Sequence, residues 1–324
     1  MANDTTPPAA ADRTIALTKA VATSYGEPAD VVEIIQTEVP GPGPGQVLVE
    51  LRAAGINPID AKIVHGAMGA DASALPRDLG FEAAGVISAL GDGVDDLAVG
   101  DEVIVYRATA GFADRVVADI AAVHPKPADL DFEHAAGLLL VGVTAADTVA
   151  TAGIGPDDVV LIHGGSGAVG SIAVQLAVRA GATVLATGSA ANQDFIASLG
   201  ATPVIYGPGL ADRVRAAAPG PVTAAIDTVG TDEAIDTSLE LVADRDRVVS
   251  IAAWGRADDG IVLINGSSPD SKRHRSEAIP GLIADATAGT LVTEIAKTFP
   301  LSETGRALSE QLSSHPRGKF ILLT

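Results

Sequence analysis

Val159-Val160-Leu161-Ile162-His163-Gly164-Gly165-Ser166-Gly167-Ala168-Val169-Gly170 carries a short apolar, β-branched run into a glycine-rich turn and on into a helix-forming stretch. Gly165, Gly167 and Gly170 keep the G-x-G-x-x-G spacing directly after the expected strand. Missing side chains at those positions allow a tight turn, close approach of backbone to a pyrophosphate, and close packing of helix on strand. The N–H groups at the helix start, helped by the helix dipole, then face the anion. In this strand–turn–helix context the motif predicts a dinucleotide site built from Gly165, Ser166, Gly167, Ala168, Val169 and Gly170.

Downstream, strands and helices alternate. A helix over Ser171–Arg179 closes at Gly181, a second strand follows at Thr183–Thr187, and a helix around Gln193–Leu199 ends at Gly200. Further strands are expected near Val204-Ile205, at Ala224–Asp227 and at Val248–Ala252. Such alternation predicts an α/β fold with a doubly wound parallel sheet, the Rossmann type. An NAD site places an acid at the end of the second strand, where it holds the ribose 2′-hydroxyl. Here that corner reads Thr187-Gly188-Ser189-Ala190-Ala191-Asn192, with no acid before Asp194. Gly188, Ser189 and Asn192 leave room for a 2′-phosphate, although no Lys or Arg stands among them. NADPH is the expected cofactor and NADH the alternative.

Upstream, short strand-like runs at Val31–Ile35, Gln46–Leu51, Gly85–Leu90 and Glu102–Tyr106 are separated by Gly/Pro/Asp turns, the stiffest being Pro40-Gly41-Pro42-Gly43-Pro44-Gly45. Several short strands without long helices between them predict a partly open β-barrel. The terminal run Lys319-Phe320-Ile321-Leu322-Leu323 is expected to return to that first sheet. The expected division is a β domain from residues 1–128 and 269–324, with a nucleotide-binding domain from 129–268.

Seven segments in order resemble the zinc-free quinone oxidoreductases of the medium-chain dehydrogenase/reductase superfamily. They are Gly55-Ile56-Asn57-Pro58-Ile59-Asp60, Gly80-Phe81-Glu82-Ala83-Ala84-Gly85, Val99-Gly100-Asp101-Glu102-Val103, Gly111-Phe112-Ala113-Asp114, Gly142-Val143-Thr144-Ala145, Asp227-Thr228-Val229-Gly230 and Gly318-Lys319. The resemblance covers nearly the whole chain. It implies a GroES-like β domain beside the Rossmann domain, and a homodimer. It adds Thr144, Thr228, Val229, Ile251 and Ala252 to the expected cofactor contacts. Zinc alcohol dehydrogenases of the superfamily carry Cys where Asn57 stands and His where Phe81 stands, so no zinc is expected.

The chemistry implied is hydride transfer from the nicotinamide to a quinone or an α,β-unsaturated carbonyl compound, with donors stabilising the substrate oxygen. Asn57 and Lys62 are the candidate donors. Each has a plainer reading, Asn57 as a turn residue ahead of Pro58 and Lys62 as a surface lysine. Asn-Pro-x-Asp-x-Lys leans toward the enone-reducing branch. An enoyl-thioester reductase and a non-catalytic NADPH-binding sensor are the rival functions. Tyr106, His65 and His163 are read as packing residues; Tyr206 is a candidate adenosine contact, although the resembled family places its tyrosine one position later, where Gly207 stands.

Composition narrows the classes. The 324 residues are 47% hydrophobic and 19% charged, as expected for a globular chain of two domains. Cysteine is absent, which removes disulfides, thiolate–metal sites and a cysteine nucleophile. A net charge of −20 disfavours a nucleic-acid partner. The short basic cluster Lys272-Arg273-His274-Arg275 is expected to be a solvated loop. Met1 to Asp12 shows no signal-peptide pattern and no apolar run reaches membrane-spanning length, so a cytoplasmic protein without a membrane partner is expected.

Overall fold

The chain divides into two units, Met1–Leu140 with Ile295–Thr324, and Val141–Glu294. The computed structural model describes residues 14–314 and 317–324, so the polar segment Met1 to Asp12 lies outside the described residues. In the first unit the chain runs through β1 (Thr14–Ala22), α1 (Pro28–Val31), β2 (Val32–Pro40), β3 (Gln46–Ile56), α2 (Pro58–Val64) and β4 (Arg77–Asp78). It continues through β5 (Glu82–Leu90), β6 (Glu102–Tyr106), β7 (Arg115–Asp119), β8 (Val123–Pro125) and α3 (Phe132–Ala136). The helix α4 (Leu139–Thr151) carries the chain into the second unit.

There the order is β9 (Val159–His163), α5 (Ala168–Arg179), β10 (Thr183–Gly188), α6 (Gln193–Ser198), β11 (Thr202–Ile205) and α7 (Leu210–Ala217). Then come β12 (Ala224–Asp227), α8 (Asp232–Leu241), β13 (Val248–Ser250), β14 (Val262–Leu263) and α9 (Pro269–Thr287). The chain returns to the first unit through β15 (Ile295–Pro300), α10 (Thr304–Ser313) and β16 (Lys319–Leu323).

The second unit holds a six-stranded sheet in the order β11-β10-β9-β12-β13-β14, with every pairing parallel. Counted from β9 this is the doubly wound order 3-2-1-4-5-6, and the chain reverses direction across the sheet between β9 and β12. Strand β9 is apolar up to His163 because helices cover both faces of such a sheet; all but Val159 are buried. Loops that follow β9, β10, β12 and β13 leave from one edge of the sheet, the edge where such folds bind ligands.

The first unit pairs β16 antiparallel to β3, with Phe320 opposite Ile56, so the terminal strand does return to the first sheet. Phe320 packs edge-to-face on Phe299 of β15 at 5.3 Å between ring centroids, within a mostly aliphatic core that also buries Phe112.

Two boundaries differ from the sequence expectation. Residues 129–140 fall in the first unit, where α3 packs under β3: Gly55 has no side chain, and a Cβ there would collide with the Ala136 carbonyl oxygen. Residues 269–294 fall in the second unit. The basic cluster is not a loop but part of α9, which opens with Ser268 accepting from the Ser271 N–H and Pro269 in its first turn. Fully buried Asp147 on α4 accepts from Arg275 Nε at 2.8 Å and pairs with His274 Nδ1 at 3.2 Å. Arg275 thus neutralises a buried carboxylate that His274 also contacts, and Arg273 pairs with Asp270 and Glu277 on the helix surface.

Candidate functional site

Three contacts shape the loop after β9. The Gly164 N–H donates to Thr187 Oγ1 at 3.1 Å and the Gly165 N–H to the Thr187 carbonyl at 2.8 Å, which pins the turn to the end of β10. The Gly167 N–H closes the turn onto the Gly164 carbonyl at 2.9 Å. Gly164 adopts φ +79°, and a Cβ on Gly165 would lie 2.7 Å from the Ala186 Cβ. Gly167 caps α5 with no side chain of its own, and the first-turn N–H groups of Ala168, Val169 and Gly170 have no intrahelical acceptor to reach. Such a cradle of glycines and aimed N–H groups fits a pyrophosphate.

The expected corner residues meet the loop. Asn192 Nδ2 donates to Ser166 Oγ at 3.0 Å, and Gln193 Nε2 bridges the carbonyls of Gly188 and Ser189. Asp194 is exposed on α6. On the other side of β9, Thr228 Oγ1 donates to the His163 carbonyl at 2.8 Å. Gly230 has φ +79° and lies so close to Ala252 that a Cβ would fall 2.8 Å from its carbonyl carbon. Thus Gly165–Gly170, Gly188, Ser189, Asn192, Thr228, Val229, Ile251 and Ala252 gather along one sheet edge. Thr144 is buried on α4. His163 is buried, and Nε2 meets Ser238 Oγ at 3.0 Å. Since that hydroxyl donates to the Ala234 carbonyl, the ring must donate to it. Burial pushes His163 down to about 4 against the opposing pull of Asp227. Tyr206 is exposed and Tyr106 half-buried.

The first unit holds a second polar constellation, which sequence reasoning reached only in part. Asn57, Asp60, Glu82 and Lys319 are all buried. Lys319 Nζ donates to Glu82 Oε1 at 2.7 Å and to Asn57 Oδ1. The Asn57 amide spends its hydrogens on the Gly55 carbonyl at 3.2 Å and Glu82 Oε1 at 3.1 Å. Glu82 Oε2 accepts from the Leu140 N–H at 2.8 Å, and Asp60 Oδ2 from the Asn57 N–H at 2.8 Å. Asn57 therefore faces inward with every amide group engaged. Lys62, two residues past Asp60 on α2, is exposed. Glu82 and Lys319 were visible only as motif landmarks. Nothing local pairs residues 237 positions apart.

Two carboxylates and one ammonium leave this cluster a negative charge in excess, and Asp60 Oδ1 has no hydrogen-bond partner. Burial pushes the Asp60 carboxyl up to about 7; Glu82 adds to the rise, while the Asn57 N–H and Lys319 oppose it. Between the ordinary carboxyl range and pH 7 the folded chain retains a proton that the unfolded chain releases, so stability falls as pH rises through that window. Each unit of the rise is worth about 1.4 kcal/mol. We expect the unfolding free energy measured by urea denaturation to decline between pH 5 and pH 8, on the order of a few kcal/mol in all. Asp60→Asn, which mimics the protonated form, should flatten that decline. An unchanged slope in the variant would assign the pH dependence to other groups.

The doubly wound sheet and its glycine cradle define a nucleotide-binding α/β unit, here joined to a β-rich unit. Residues 43–128 match the alcohol dehydrogenase GroES-like domain and residues 168–272 the zinc-binding dehydrogenase family. The 2-haloacrylate reductase of a Burkholderia species is 33% identical over 315 residues, covering 89% of this chain and 93% of that protein. The quinone oxidoreductase of Salmonella typhimurium is 34% identical over 249 residues, covering 74% and 73%. The spectinabilin polyketide synthase system protein NorB of Streptomyces orinoci is 35% identical over 81% of this chain, which spans only 12% of NorB. Among solved structures, Escherichia coli quinone oxidoreductase complexed with NADPH superposes with a TM-score of 0.83 at 26% identity, over 95% of this chain and all of that one. The CurK enoyl reductase gives 0.83 at 27% identity, over 95% and 99%. The chain belongs to the medium-chain dehydrogenase/reductase superfamily, with quinone oxidoreductases among its relatives.

Proposed function

We propose that this chain is an NADPH-dependent oxidoreductase that reduces quinones or α,β-unsaturated carbonyl compounds without zinc. The observation that carries the proposal is the cradle of Gly164–Gly170, pinned to β10 and opening onto the first turn of α5. Gly165 to Gly170 would hold the pyrophosphate, with Gly188, Ser189 and Asn192 at the adenosine ribose. Thr144, Thr228, Val229, Ile251 and Ala252 would flank the nicotinamide half. Bound NADPH supplies a hydride; the chain's own residues orient it and stabilise the charge that develops on the substrate oxygen. The related quinone and 2-haloacrylate reductases support that substrate range.

Zinc independence rests on the donor set. The chain has no cysteine, Phe81 cannot ligate, and Lys319 already places an ammonium against Asn57 and Glu82, where a second cation would be repelled. Since Asn57 is engaged on every side, we assign it a positioning role and leave Lys62 as the donor to substrate oxygen. A cytoplasmic homodimer completes the proposal; among the described residues no helix is long and apolar enough to cross a membrane. Sedimentation of the purified chain tests the dimer.

The functional test is oxidation of NADPH with 1,4-benzoquinone and with a short alkyl vinyl ketone. We expect turnover of the ketone, and in Lys62→Ala a loss in kcat/KM of roughly 10- to 100-fold, less than for a fully desolvated oxyanion donor because Lys62 is exposed. Quinone turnover indifferent to Lys62 would make that lysine a surface residue. No turnover of either substrate would sink the assignment. The likeness to CurK enoyl reductase favours one second reading, an enoyl thioester as substrate. A short enoyl-CoA in the same assay distinguishes it by a higher kcat/KM than the ketone.

A further inference from the structure

Asp227 ends β12 and Ser250 ends β13, paired in register on adjacent parallel strands and both fully buried. Each turns the chain that follows it. Asp227 Oδ1 accepts from the N–H groups of Val229 and Gly230, both at 3.0 Å. Its Oδ2 accepts from Ser250 Oγ at 2.6 Å, and that hydroxyl in turn accepts from the N–H groups of Ala252 at 3.0 Å and Ala253 at 2.9 Å. The Ile251 N–H adds a bond to the Asp227 carbonyl at 3.1 Å. Four backbone N–H groups from two separate loops therefore hang on one carboxylate–hydroxyl pair. The loops also touch, since Gly230 leaves no room for a side chain beside Ala252.

These loops belong to the second half of the doubly wound sheet. A dinucleotide spans both halves, with its adenosine end at β10 and its other nucleotide beyond β12. We propose that Asp227 and Ser250 are a positioning pair for the nicotinamide half of the cofactor, fixing Thr228–Gly230 and Ile251–Ala253 without touching the cofactor themselves. The inference rests on the reading that this unit binds NADPH.

Removing either member should act through both loops. In Asp227→Asn an amide faces Ser250, whose hydroxyl already accepts two N–H bonds and now loses its acceptor. In Ser250→Ala the carboxylate keeps the first loop while the N–H groups of Ala252 and Ala253 lose their partner.

The test compares two ligands, NADPH and its analogue lacking nicotinamide, 2′-phospho-ADP-ribose. Trp254, the chain's one tryptophan, adjoins Ala253 and reports binding through its emission and its energy transfer to reduced nicotinamide. We expect Asp227→Asn to weaken NADPH about tenfold or more while 2′-phospho-ADP-ribose changes by no more than about twofold. Ser250→Ala should show the same selectivity to a smaller degree and provides the answer if Asp227→Asn does not fold. The double variant should be no weaker than Asp227→Asn alone, because the two act as one unit. Equal weakening of both ligands, or no weakening of either, would overturn the positioning role. Failure of the wild-type chain to bind NADPH would instead remove the nucleotide reading, and the inference with it.

Discussion

Lys319→Met should cost the folded protein about 3–5 kcal/mol, the range for breaking a buried ion pair by removing one partner. The reason is the company Lys319 keeps. Its ammonium is the cation facing Glu82 Oε1 at 2.7 Å, and it also lies near buried Asp60. With the ammonium gone, Glu82 and Asp60 share an apolar site with no compensating charge and must take up protons or water. Asn57 loses the donor to its Oδ1 and with it the bond that faces its amide inward. Chemical denaturation at pH 7 measures the loss. A further control is Lys319→Met with Glu82→Gln, which removes both charges. If the pair accounts for the cost, the double variant should recover about half of it or more. A Lys319→Met protein within about 1 kcal/mol of wild type would show that the site admits water freely and is not the closed cluster described here.

That cluster also shows where a sequence stops being legible. The doubly wound sheet could be read from Val159–Gly170 because its signals are local. An apolar run, three spaced glycines and a helix former lie within a dozen residues, and each constrains the others. The return of β16 was readable for a related reason, since a terminal run of Phe320-Ile321-Leu322 must bury itself on some sheet edge. Strand β1 carries no clear signal of its own, because Thr14, Thr18 and Lys19 interrupt its apolar residues and burial does not alternate along it.

Long-range electrostatics escaped entirely. Four basic residues in a row look like a solvated loop, and only the buried carboxylate of Asp147, more than a hundred positions earlier, makes His274 and Arg275 part of an interior pair. Yet Ser268-Pro269-Asp270 is a local helix start, with Ser268 as the N-cap of α9. Asn57 illustrates a subtler limit. Residue type allows an amide to donate to a substrate, but the direction in which it donates depends on Glu82 and Lys319, which arrive from distant strands. Asp227 and Ser250 were each near recognised landmarks. Their joint role depends on the register of β12 against β13, which no single strand's sequence contains.

The phosphate cradle offers the sharpest contrast between local propensity and tertiary contact. Gly170 lies in the first turn of α5, where helix propensity alone favours alanine over glycine by about 1 kcal/mol. Packing demands the opposite. A Cβ on Gly170 would sit 2.8 Å from the Gly164 carbonyl carbon, nearer still to its oxygen, and 3.2 Å from Thr228 Oγ1. Backbone at both ends of the cradle would have to separate, spoiling the turn that aims the first N–H groups of α5. We expect Gly170→Ala to weaken NADPH by about 100-fold or more, equivalent to about 2.7 kcal/mol, and to lower the stability of the free protein as well. Gly167 provides the comparison. Its φ of −76° suits any residue, and a Cβ there would meet only the Gly164 oxygen at 3.4 Å, an ordinary contact. Gly167→Ala should therefore leave the thermal midpoint of the free protein within about 2 °C of wild type. A loss of NADPH affinity in that variant would then measure the approach of the cofactor to the backbone, separately from the fold of the loop. Should Gly170→Ala bind NADPH as well as wild type, the cradle would not be the phosphate site, and the nucleotide would have to be sought on another edge of the sheet.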